Sequence, residues 1–147
     1  MTQRHPIQNE ALMFVTTNTT YRKPVFENPA HASEAIDRLY RVQSLHPFFI
    51  FAFVIMPDHC HFLLNVPEPY TISKLMNTYK TGLTFDIGIG AFWQPRFDVR
   101  IPDNGYQTIR YIHENPVKAG LVSSVQEYRW SSASGKYDCT MLDPAWG

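Results

Sequence analysis

Charge of either sign is scarce in this chain and balanced, 13 Lys and Arg against 13 Asp and Glu in 147 residues. The basic excess by which nonspecific phosphate binding usually shows itself is therefore missing at the level of the whole molecule, although a local patch stays compatible with the count. Cysteine is nearly absent: Cys60 and Cys139 stand in unrelated contexts. Two such residues imply no disulfide framework, and a reducing, cytoplasmic compartment is expected. Long hydrophobic runs are lacking too. The longest, Phe48–Met56, has 9 residues, far short of a membrane-spanning helix, so no membrane partner is expected. Met1–Glu10 is polar, without the apolar segment of a secretion signal. What is present is a 44% hydrophobic, 14% aromatic chain, enough for a single domain over residues 1–147, with 1–10 and 133–147 expected as peripheral tails.

The local patterns alternate between strand and helix. Ala11–Thr17 reads as a strand. Ser33 is a candidate cap for a helix to about Leu45, with Ala35, Ile36, Leu39, Tyr40 and Val42 on its apolar side. Phe48–Met56 and His59–Val66 form two strands across the short Pro57-Asp58 link, which permits only antiparallel pairing. A second helix starts at Thr71 or Ser73 and reaches about Phe85, and Ala91–Ile101 holds one or two short extended segments. Asp103-Asn104-Gly105 reads as a turn, and a third helix follows from about Tyr106 to Asn115, where Pro116 sets a boundary. The order β-α-β-β-α-β-α predicts an α+β fold, an antiparallel sheet with helices packed on one side, and it contains the split βαβ arrangement of ferredoxin-like folds.

Chemistry concentrates at His59-Cys60-His61. Residues two apart on a strand share a face, so the two imidazoles would stand side by side with Cys60 turned into the core. Two such histidines can supply part of the ligand set of a divalent metal; equally, they can be a solvated pair on an open sheet face. On the third helix Tyr111 and Asn115 are four apart and share a face. A helix beside the histidine strand could bring the Asn115 amide oxygen in as a third ligand and hold the Tyr111 hydroxyl near a polarised substrate. The competing reading of Tyr111 is a packed aromatic. A hard cation, Mg²⁺ or Mn²⁺, would accept imidazole, amide oxygen and phosphate together. Other enzymes that use His-x-His fit less well, since a β/α barrel needs a longer chain and cupin-like sites need more strands.

The run Val54-Ile-Met-Pro-Asp-His-Cys-His-Phe-Leu-Leu64 resembles the MPNHxHxLL signature of the IS200/IS605-like single-tyrosine HUH transposases. The likeness continues through Ile72–Met76, Phe92–Phe97, Arg110–Ile112, Asn115–Val122 and Tyr128–Ser132, and is greatest to the REP-associated tyrosine transposase branch. Several motifs in order, from about Val15 to Ser132, make it specific where His-x-His alone is not. It implies an RRM-like antiparallel sheet flanked by helices, His59, His61 and Asn115 as ligands of Mg²⁺ or Mn²⁺, and Tyr111 as the nucleophile. The activity it implies is cleavage and strand transfer of single-stranded DNA beside a palindromic-repeat hairpin, through a 5′-phosphotyrosine. The alternative is a domesticated relative that binds a DNA or RNA hairpin without cutting it. A homodimer and a monomer are both compatible with the pattern. Candidate DNA contacts are Lys74, Lys80, Arg96, Arg100, Arg110 and Lys118, with Trp93 and Phe97 able to stack on unpaired bases or, equally, to lie in the core. His113 falls outside the motifs and is expected to be exposed. Two departures stand out: Asp58 occupies the motif's Asn position, and Thr81–Gly90 lacks the dense Arg and Lys usual there.

Overall fold

The computed structural model describes residues 6–146. Four strands, β1 (Leu12–Asn18), β2 (Phe49–Met56), β3 (His59–Asn65) and β4 (Asp98–Arg100), form one antiparallel sheet in the order β2-β3-β1-β4. Helices α1 (Pro29–Leu45), α2 (Ile72–Ile87) and α3 (Gly105–Lys118) connect or follow them. This is the ferredoxin-like order, with β3 inserted between β1 and β2 of a split βαβ unit. The expected α+β class and element order are both present.

The helices do not share one side. On one face Met13, Val15, Phe53, Ile55, Cys60, Phe62 and Leu64 join α1 and α2 residues such as Leu39, Val42, Leu75 and Tyr79 in the main core. On the other, Leu12, Ala52, Val54, Met56 and Leu63 pack on Ile112 of α3 with Leu142 and, partly buried, Ile109 and Trp146. Helix α3 is short and only its Ile109/Ile112 side is apolar, so it covers the β2–β3 half and leaves the β1–β4 half open. A register shift between Ile50 and Ala52 puts both Phe51 and Ala52 on the α3 face, adding a ring against Trp146.

The caps explain the element limits. Asn28 accepts the Ala30 N–H and Pro29 occupies the first turn, so α1 begins earlier than Ser33. Thr71 caps α2, and Gly88, at φ 72°, ends it in the left-handed region. Asn104, in the expected turn, caps α3 by accepting the Gln107 N–H. Helix α3 runs through Pro116, because the proline lies in its last turn, where few backbone bonds remain to be lost, and its ring is buried.

Both ends of the described region make specific contacts with the rest of the fold. The described part of the N-terminal segment ties to the start of α2: Gln8 accepts the Ile72 N–H at 2.8 Å and Asn9 donates to Tyr70 O at 3.0 Å; residues 1–5 lie outside the described region. The segment after α3 folds along the free side of β2. Ile55 N–H donates to Trp130 O at 2.8 Å, Phe53 N–H to Ser132 Oγ at 3.0 Å and Thr140 N–H to Ile50 O at 2.9 Å. His113 is half-buried here, its Nε2 2.7 Å from Ser132 Oγ, which corrects the expectation of an exposed side chain. Among the described residues no helix is long and apolar enough to cross a membrane.

A largely buried ion pair fastens α1 to α2. Arg38 Nε and Nη2 each donate to Asp86 at 2.7 Å, with the side chains 18% and 11% exposed. Gly82 makes this possible, since a Cβ there would stand 2.9 Å from Arg38 Nε. Arg38→Met should strand the Asp86 carboxylate and cost about 3 kcal/mol, the low end for a buried pair because Arg41 still lies 3.9 Å away. The measurement is the urea midpoint, expected to fall with its slope unchanged.

Candidate active site on the open face

The central pairing of β1 with β3 sets Thr16 opposite His61 and Asn18 opposite His59. As period-two alternation requires, both histidines point to the α3 face while Cys60 is buried on the other. Their ring centroids are 4.8 Å apart. His61 is nearly enclosed, with Thr16 Oγ1 2.9 Å from its Nδ1. His59 Nδ1 lies 2.6 Å from Asp58 Oδ1. When these oxygens accept the Nδ1 protons, each ring keeps its Nε2 lone pair for another partner.

Burial pushes both imidazoles toward the neutral form. For His61 burial, then the positive charge of His59 and Arg22, brings the pKa down to about 3. For His59 burial also prevails, against the opposing pull of Asp58. Neutral imidazoles with oriented rings are the state a metal ligand needs.

Tyr111 comes to this place from α3. Its ring sits 5.7 Å from His61 and 5.9 Å edge-on from Phe14, and the side of the residue away from them is open, 47% exposed. Gly105, at the start of α3, lies against Leu12, and Tyr111 against Phe14. Helix α3 therefore begins over β1 and lies mainly across β3 and β2. Asn115, partly exposed, lies one turn beyond Tyr111 on the same helix face.

Beside these groups opens a groove of about 510 Å³, walled by Phe14, Thr16, Asn18, His61 and Tyr111, with Asp98 and Arg100 at its β4 rim. A shallower one of about 270 Å³ continues past Phe14 and Tyr111 to Asn104 and Gln107 at the start of α3. Among the described residues no group of three or more His, Cys, Asp or Glu side chains is arranged around a metal position. A cation held by His59 and His61 would thus complete its shell from an amide oxygen, water or substrate. The two neutral imidazoles with free Nε2 atoms fit such a role.

The other candidate residues divide. Arg100 rims the groove, paired to Asp98 at 3.1 Å. Lys118 lies 6.0 Å from the Tyr111 ring and 3.6 Å from Glu114. Arg110 and Arg96 are exposed. Lys74 stands at the start of α2, in the helical layer behind the sheet. Lys80 is folded inward: its ammonium donates to Gln94 O at 2.7 Å, and burial brings its pKa down to about 8. Phe97 is core, and Trp93 packs against Phe26, Phe92 and Tyr79; the stacking surface expected of these two is turned inward. Phe14, Thr16 and Arg22 were not singled out by sequence. Phe14 and Thr16 belong to the site through the alternation of β1, once β1 is known to pair with β3. Arg22 reaches it from an irregular bend with no periodic signal.

Comparison with known proteins gives this arrangement its class. The family described as "Transposase IS200 like" matches residues 10–115, from the start of β1 to Asn115. The chain belongs to the IS200-like transposase family. Within it, the chain is similar to the REP-associated tyrosine transposase of Escherichia coli (strain K12), 32% identical over 98 residues, which are 64% of this chain and 59% of that protein. This chain thus spans about three fifths of that relative's length. A putative REP-associated tyrosine transposase of Haemophilus influenzae is 28% identical over 120 residues, 69% of this chain and 68% of that one. A solved REP-associated tyrosine transposase bound to a REP hairpin superposes with a TM-score of 0.76 at 26% identity, covering 100% of this chain and 96% of that chain. A putative transposase from Deinococcus radiodurans agrees in fold, with a TM-score of 0.57 at 19% identity over 78% of this chain and 97% of that one.

The enclosed His61 also makes a stability prediction. Above pH 6.5 His61 is neutral folded and unfolded and adds no pH dependence. Between 6.5 and about 3 only the unfolded chain takes up the proton, so stability falls by about 1.4 kcal/mol per pH unit for this group as pH drops. In metal-free buffer, His61→Gln should remove that much of the slope between pH 6 and 4, measured by urea unfolding.

Proposed function

We propose that the protein is a metal-dependent single-stranded DNA endonuclease and strand transferase in which Tyr111 is the nucleophile and His59, His61 and Asn115 hold Mg²⁺ or Mn²⁺. The observation that carries this reading is the Tyr111 ring 5.7 Å from His61, which is itself 4.8 Å from His59, with an open groove beside them. A divalent cation bound there would supply positive charge to a non-bridging oxygen of the scissile phosphate. The remaining work belongs to the chain. Phe14 and His61 hold the Tyr111 ring, so its hydroxyl meets the phosphate from a fixed direction. The phenolic oxygen bonds to phosphorus as its proton leaves, and the bond to the 3′ oxygen breaks. That oxygen takes up a proton to give a free 3′-hydroxyl, while the 5′ phosphate stays on Tyr111. Because one phosphodiester has replaced another, the reverse step can join a new 3′ end.

A single strand suits the open groove, where Phe14 offers a ring and Arg100 and Lys118 offer charge. The hairpin bound by the solved relative points to a hairpin-flanked strand as the substrate, met in the cytoplasm. Wild-type protein with Mn²⁺ and single-stranded oligonucleotides flanking a palindromic hairpin should give a covalent protein–DNA adduct on denaturing gels. Tyr111→Phe should abolish the adduct, at least about 10³-fold, and the His59→Ala/His61→Ala double variant should lose both adduct and Mn²⁺ binding. An adduct surviving Tyr111→Phe would refute the assignment. Tight hairpin binding with no cleavage of any strand would favour a non-cleaving DNA- or RNA-binding protein.

A further inference from the structure

The carboxylate at the β2–β3 turn has more contacts than capping a turn requires. Asp58 Oδ1 meets His59 Nδ1 at 2.6 Å while Oδ2 accepts from Arg22 Nε at 3.0 Å. The backbone of Asp58 is held as well: its carbonyl accepts the Thr19 N–H at 3.0 Å and the Thr19 hydroxyl at 3.0 Å. Arg22 Nη2 lies 3.3 Å from the same His59 nitrogen, longer and poorer than the carboxylate contact. An arginine cannot accept a proton, so the partner of the Nδ1–H is Asp58. Arg22 arrives there from a bend in which Tyr21 and Arg22 both take left-handed backbone angles, φ 53° and 54°, a strained choice for two residues with large side chains. The strain is retained where it aims a guanidinium at the carboxylate touching His59.

We propose that Asp58, locked by Arg22, is a positioning residue that keeps His59 in its Nδ1–H form with Nε2 facing the open site. The inference rests on the metal-centre reading for its purpose, but the tautomer itself does not depend on a metal. It also gives a role to the departure from the motif, where Asn is usual. An amide oxygen can accept the Nδ1–H but adds no negative charge, and only the carboxylate gives His59 and Arg22 a separate acceptor oxygen each.

The test has two readouts on folded protein, with folding checked by thermal unfolding. Long-range ¹H–¹⁵N spectra of the metal-free wild type should show His59 protonated at Nδ1. In Asp58→Ala the signal should move to the Nε2–H form favoured by free imidazole, and Mn²⁺ affinity by calorimetry should fall about 10- to 100-fold. Asp58→Asn should restore the Nδ1–H form and most of the lost affinity, which a merely structural role would not predict. An Asp58→Ala protein that keeps the wild-type tautomer, or the wild-type Mn²⁺ affinity, overturns the proposal. A wild type that binds no Mn²⁺ overturns the metal-centre reading instead, and the tautomer comparison still decides for or against Asp58.

Discussion

Everything at the site depends on the antiparallel ladder between β1 and β3. Seven residue pairs, Leu12 with Asn65 through Asn18 with His59, fix which side chains share a face. Both faces of β3 are committed, one to the α1/α2 core and the other to α3 and the histidines. A slip of one residue would bury His59 and His61 among Phe53, Ile55 and Tyr79 and bring Cys60 to the surface. The apolar side chains of Phe62 and Leu64 therefore hold the imidazoles in place, although they never touch a substrate.

The second constraint is the coverage of the α3 face. Because α3 lies over β2 and β3, the β1–β4 half stays open, and Tyr111 stands at the boundary between covered and open sheet. Its near neighbours on the same helix, Ile109 and Ile112, are packed on the sheet. The nucleophile candidate thus has a buried anchor next to it and an accessible side of its own, a division that a residue in the middle of either region would lack.

The sequence made the ladder's contents legible but not its neighbours. Alternation in β3, the short Pro57-Asp58 link and the four-residue spacing of Tyr111 and Asn115 are local properties, and each has its counterpart in the structure. Readings failed where a long-range contact overrode a local rule. Pro116 suggested a helix end, but its place in the final turn makes it harmless. Lys80, Trp93 and Phe97 carry the chemistry of nucleic-acid contacts, yet Lys80 holds backbone carbonyls near 94–96 and the two rings pack into the main core. His113 sits opposite Ser132, a partner 19 residues away that no periodicity reveals. Arg22 was invisible for the same reason: its importance comes from Asp58, 36 residues later.

The segment that runs along the free side of β2 has a further consequence. Its contacts use Trp130 O, a Ser132 hydroxyl and the Thr140 N–H, a mixture of main-chain and side-chain groups rather than a fifth strand. The opposite edge, β4, has three residues and is bracketed by Pro95 and Pro102. Neither border offers the row of regularly spaced donors and acceptors that a foreign strand would need for pairing. Among the described residues, borders this short and irregular disfavour fusion of two sheets edge to edge and the capture of an extended polypeptide.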